Sequence, residues 1–148
     1  NTPKAQRDEF NIPKSASCLW KSKDNIMAAR NLSDAARATI DAIVASPLVS
    51  MYNVGITMSP DRRRRQYVLY STPRPWNHMA FLAYGLTLSQ AKSLEEDLFT
   101  YCTKTDNSSV RYKKYSGVKE GPYRRSAGGR DDDGQSIYSV YLAWCDPG

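Results

Sequence analysis

Four prolines do most to limit what this chain can become. Pro47, Pro60, Pro73 and Pro75 each lack a backbone donor, so neither a helix interior nor a central strand runs through them; only the first helical position welcomes proline. The elements between them must be short. Pro47 closes an amphipathic run in which Ala36, Ile40, Ile43 and Val44 recur at helical spacing behind a Ser33-Asp34 start. Ser59-Pro60-Asp61 opens a second helix with a cap, a proline at the first position and an acid for the dipole. Thr87 with Gln90 makes a capping box for a third, whose buried stripe is Leu88, Ala91, Leu94 and Leu98, reaching about Cys102. Strand patterns fill the gaps at Leu48–Thr57, Met79–Tyr84 and Ile137–Trp144. The order predicts an α/β (α+β) chain built on a small three-stranded sheet, mixed or antiparallel, flanked by helices.

The length of 148 residues suits one domain. Residues 1–31, with Pro3, Pro13 and no sustained period, read as an extended N-terminal arm, and residues 32–148 as the single folded domain. Residues 103–136 read as a long polar, glycine-rich loop, with Asp131-Asp132-Asp133-Gly134 as a tight turn. No apolar run approaches the roughly 18 to 20 residues that cross a bilayer, so no membrane partner is expected. Cys18, Cys102 and Cys145 are far apart and a single histidine, His78, accompanies them; this excludes a Cys/His zinc pattern and predicts a reducing compartment, cytoplasm or nucleus. Nothing in the sequence fixes the oligomeric state.

Charge is unevenly placed. Residues 51–130 carry 14 Lys+Arg against 6 Asp+Glu, while the rest of the chain carries 7 against 9. A basic middle favours a polyanion, because neutralising phosphates releases counterions; a solvated basic surface is the plain alternative. Three groups could carry chemistry. Gly55 ends a strand and so permits close approach of another group, and Arg63 and Tyr67 lie four apart on the helix that follows. A guanidinium can hold phosphate oxygens bidentately while a phenol positions water. Glu95, one residue past Leu94 and so at the edge of the buried stripe, could hold one divalent ion that keeps most of its waters. Arg111, Lys113, Lys114, Lys119, Arg124 and Arg125, interleaved with Tyr112, Tyr115 and Tyr123, match the pattern of cations tracking phosphates and aromatic faces stacking on bases.

Taken together, Asn53-Val54-Gly55-Ile56-Thr57, Arg63 and Tyr67, Phe81–Thr87 and Ala91-x-x-Leu94-Glu95 resemble the GIY-YIG nuclease family over about residues 49–129. Two departures stand out. Asn53 occupies the place of the family's second tyrosine, with Tyr52 one residue early, and Arg124 or Arg125 stands where a late asparagine is usual. The family's first strand is missing from its usual place, yet Ile137–Gly148 is similar to it, which implies a circularly permuted order in which the last strand pairs beside Val49–Thr57 and supplies Tyr141. The resemblance implies a metal-dependent endonuclease cutting DNA, or RNA. Its catalytic set would be Arg63, Tyr67, Glu95, Tyr141 and Tyr52, with Glu95 holding one Mg²⁺ or Mn²⁺ ion. Arg62, Lys113, Lys114, Arg124 and Arg125 would hold the flanking backbone. An eroded site that only binds nucleic acid, or a protein-interaction domain with an acidic partner, are the competing expectations.

Overall fold

The computed structural model describes residues 23–69, 76–124 and 135–147. Its elements are α1 (Lys23–Val44), β1 (Met51–Thr57), α2 (Pro60–Leu69), β2 (His78–Leu86), α3 (Leu88–Thr103), α4 (Val110–Lys114) and β3 (Tyr138–Cys145). The strands form one antiparallel sheet in the order β1-β3-β2. The chain is therefore mixed α+β. The last strand occupies the centre, and β1 and β2 each pair with it rather than with one another.

The sequence of β3, YSVYLAWC, explains its place. Every residue but Trp144 is buried, as a strand covered on both faces requires, and such a strand reads as a near-continuous apolar run. On one face Tyr138, Val140 and Leu142 join Tyr52, Val54 and Ile56 of β1 in a core closed by Ala36, Ile40 and Val44 of α1 and Leu94, Leu98 and Cys102 of α3. On the other, Tyr141, Ala143 and Cys145 meet Trp76, Met51, Tyr67, Met79 and Phe81. The period of two along β1 and β3 sorts these side chains between the faces. β2 is less regular, its register shifting between Phe81 and Ala83 and again before Leu86.

α3 starts where its capping box stands: the Thr87 hydroxyl accepts from the Gln90 N–H, and the Gln90 side chain accepts from the Thr87 N–H. α1 differs from expectation. Residues 23–31 are helical rather than an extended arm, and residues 1–22 lie outside the described residues. Ser33 is not a cap but an interior residue whose hydroxyl donates to Asp97 on α3, beside an Arg37–Asp97 ion pair at 2.6 Å. The expected loop after residue 103 contains the short helix α4, capped by Ser109, whose hydroxyl accepts from the Tyr112 N–H. The run Asp131–Gly134 lies outside the described residues. Among the described residues no helix is long and apolar enough to cross a membrane.

Buried phenols and thiols make this core sensitive to alkali. Burial raises Tyr52 far above its usual ionisation, with Cys102 beside it adding to the effect. Burial likewise pushes Tyr115 up to about 12 and the Cys102 thiol up to about 11. An acid whose folded value is raised keeps its proton longer in the folded chain than in the unfolded one. The stability it contributes is intact below the unfolded values of 9.0 and 10.0 and is lost as pH climbs past them. Thermal melts followed by circular dichroism should therefore lose midpoint steadily above about pH 9 to 10. Tyrosinate absorbance should rise with unfolding; full tyrosine ionisation in a still-folded chain would contradict this.

Candidate functional site

The β1–β3 register sets Gly55 opposite Tyr141. The tyrosine ring lies across the glycine: a Cβ added at Gly55 would fall 2.3 Å from the Tyr141 hydroxyl oxygen and 2.5 Å from Cζ. No larger residue fits there without displacing the ring. Tyr141 is 3% exposed, and its hydroxyl meets that of Tyr67 at 2.7 Å, the two rings packed edge to face. Tyr67 is half-buried on α2, one turn after Arg63, whose guanidinium carbon sits 6.0 Å from the Tyr67 ring centre. The helix start proposed for Ser59-Pro60-Asp61 is present, with the Arg63 N–H donating to the Ser59 carbonyl.

The field of Glu95 is felt at the Tyr141 phenol. The Tyr141 phenol is held well above its ordinary ionisation, first by burial and then by the field and hydrogen bond of Tyr67. The Arg63 cation opposes that rise and the Glu95 carboxylate adds to it. At neutral pH this phenol therefore keeps its proton, and is able to donate a hydrogen bond but not to serve as a base. Tyr67 and Tyr141 thus meet over Gly55 with Arg63 beside Tyr67, while Glu95 on α3 reaches them only through its field.

Glu95 is 4% exposed on α3 and accepts a hydrogen bond from the Tyr123 hydroxyl at 2.5 Å on Oε1. It lines a cavity of about 110 Å³ with Asn53, Val54, Phe99, Tyr115, Tyr123 and Arg124. The cavity lies along the side of β1 that faces away from β3, where Tyr115 bridges to Tyr52 and the Ser116 N–H donates to the Tyr52 carbonyl at 2.9 Å. Among the described residues no three His, Cys, Asp or Glu side chains gather. The lining offers a cation one carboxylate and at most the Asn53 amide, so a Mg²⁺ or Mn²⁺ there would need the oxygens of a bound phosphate to complete its shell. Arg124 at the cavity works against any cation there, so Glu95 would have to carry the ion's charge largely alone.

The other expected residues divide. Tyr52 is on the opposite face of the sheet, fully buried, and its hydroxyl donates to the Arg111 carbonyl at 2.6 Å; it is a core residue and not part of the site. Lys114 does not reach outward either. Its ammonium donates to the carbonyls of Val44 at 2.7 Å and Ser46 at 3.0 Å, satisfying acceptors that the end of α1 leaves open. Arg111 is similarly occupied, bonding the Tyr101 carbonyl and the Thr105 hydroxyl and lying 4.0 Å over the Tyr101 ring. Arg62, Lys113 and Arg124 are exposed, while Arg125 lies outside the described residues. Tyr123 was grouped in sequence with base-stacking aromatics; its bond to a carboxylate 28 residues away leaves no trace in local spacing.

The Gly55–Tyr141 contact yields a direct test. Gly55→Ala should force Tyr141 off its seat and away from Tyr67, at a cost of about 1–3 kcal/mol for an overpacked site. Adding Tyr141→Ala to Gly55→Ala should then cost much less than Tyr141→Ala does in the parent chain, because the two residues share one contact. Additive losses in denaturant melts would count against the contact. Comparison of the chain with family models, with curated proteins and with solved structures gives no match.

Proposed function

We propose that this protein is a metal-dependent endonuclease that hydrolyses phosphodiester bonds in nucleic acid, DNA before RNA, in the manner of a circularly permuted GIY-YIG nuclease. The observation that carries the reading is the Tyr141 hydroxyl, seated on Gly55 and bonded to Tyr67, one helical turn from Arg63. A permuted order needs its tyrosine on the last strand beside Gly55, and the pairing of Tyr141 with Gly55 supports that reading.

Each residue has a distinct task. Arg63 grips non-bridging oxygens of the scissile phosphate and meets the charge that builds there during attack. Tyr141 and Tyr67, joined oxygen to oxygen, orient the attacking water through hydrogen bonds. Glu95, with Asn53 beside it, would hold one Mg²⁺ or Mn²⁺. Such an ion, when bound, supplies further neutralisation of the phosphate oxygens. Arg62, Lys113 and Arg124 draw the flanking backbone to the site through long-range attraction. The cytoplasm or nucleus is the proposed compartment, consistent with Cys102 and Cys145 as buried free thiols.

A second reading has its own support. Asn53 stands where the family has a tyrosine, and Tyr123 already engages Glu95; both fit a site that binds nucleic acid without cutting it.

Nicking of supercoiled plasmid in Mg²⁺ or Mn²⁺, and cleavage of a labelled RNA, separate the two. Under the first reading Glu95→Gln and Arg63→Ala each slow cutting by about 100-fold or more, and Tyr141→Phe by about 10- to 100-fold through lost orientation. Intact substrate with every metal would remove the enzyme and leave the binding module. For binding alone, Arg62→Ala should lower the salt dependence of affinity by about one phosphate contact, whereas Lys114→Met should leave it unchanged. Binding that ignores salt would remove both readings and favour an acidic protein partner.

A further inference from the structure

Side chains along a strand alternate between its faces, so residues three apart point to opposite sides. Phe81 and Tyr84 of β2 do not. The register against β3 shifts between Phe81 and Ala83 and again before Leu86, and Gly85 takes a left-handed conformation at φ 62°, open to glycine at no steric cost. The two rings therefore meet, their centres 5.6 Å apart. Phe81 is the partner of Tyr141 in the β2–β3 register and packs on the Tyr141 face of the sheet, so Tyr84 is drawn to that face as well. Irregularities of this kind re-aim side chains and gather beside functional sites.

Tyr84 leans on Phe81 and is still 66% exposed. The charge beside it narrows what could cover the ring. Thr57 pairs with Ser139 at the end of β1, and α2 opens at Pro60 on the same face, bringing Tyr67 to Tyr141. Ala83 pairs with the adjoining Val140. Tyr84 and the exposed Arg62 and Arg64 accordingly stand at one end of one sheet face. Cations beside an open aromatic ring suit a nucleic-acid strand whose bases are free: the cations meet phosphates and the ring stacks on a base. A base inside a duplex is stacked already and offers no face until it is extruded. We infer that Tyr84 is a base-stacking residue, and that the nucleic acid taken by the Tyr141 site is single-stranded, or unpaired where it touches β2. The inference rests on the reading of that site as one for nucleic acid.

The test is fluorescence anisotropy of a labelled single-stranded DNA and of its duplex with the whole chain, without metal so that nothing is cut. The parent chain should bind the single strand more tightly. Tyr84→Leu, which still covers Phe81 but has no π face, should weaken that binding by about fivefold or more and leave the duplex unaffected, while Tyr84→Phe keeps the parent affinity. Thermal melts of both variants should stay in place. A Tyr84→Leu chain that binds the single strand as the parent does, or loses both forms equally, would overturn the stacking role and leave nucleic acid as the partner. So would a Tyr84→Phe chain as weak as Tyr84→Leu, a parent that prefers the duplex, or a variant that unfolds. A parent chain that binds neither form would remove the proposed function, and the inference with it.

Discussion

The rest of the molecule depends on a strand that has no polar side. β3 donates and accepts along both edges, to β1 and to β2, and buries side chains on both faces. Backbone groups placed that deep must all be paired, since an unpaired one costs about 1–3 kcal/mol. A shift of its register by one residue would send Val140 and Leu142 to the face of Tyr141 and Ala143 and the reverse. Gly55 guards against that shift. It is the residue of β1 over which the Tyr141 ring lies, and a side chain there would collide with the phenol. One glycine thus fixes both the pairing of the sheet and the position of the hydroxyl on which the functional reading rests.

How much of this was legible in the sequence depended on whether a feature repeats locally. α3 could be read closely because a capping box and an apolar stripe reinforce each other over sixteen residues. Glu95, one residue beyond the stripe, could be placed at its edge, although its burial exceeds what that position alone suggests. α1 begins earlier than its sequence pattern predicts. Ile26 and Met27 are exposed, so the first turns carry no stripe, and Ser33 has the chemistry of a cap while its hydroxyl serves another helix. α4 is only five residues long and buries none of them, leaving nothing for a period to register. The meeting of Tyr67 with Tyr141 spans 74 residues and became expected only through the resemblance and a permuted strand order.

The basic stretch carries a different lesson. Lysine and arginine are chemically suited both to phosphate oxygens and to the carbonyls at a helix end, and sequence does not say which will be met. Lys114 and Arg111 turn inward and stitch α1, α3 and α4 together. Arg62, Arg64 and Arg65 on α2 stay in solvent, beside the Arg63–Tyr67 pair that faces Tyr141. Among the described residues, the cations open to a polyanion are accordingly fewer than their count implies, and those nearest Tyr141 stand on α2.

The central position of β3 has a bearing on how the protein comes into being. β1 and β2 share no ladder, so a growing chain on the ribosome has two strands and nothing to join them until residues 138–145 emerge. Sheet closure then waits for β3, whose partners on β1 lie some 90 residues earlier in sequence, the kind of long-range pairing that proceeds slowly. Tyr141 arrives in that same step. A nascent chain would carry α2 and α3 before Tyr141 can take its seat on Gly55 and meet Tyr67.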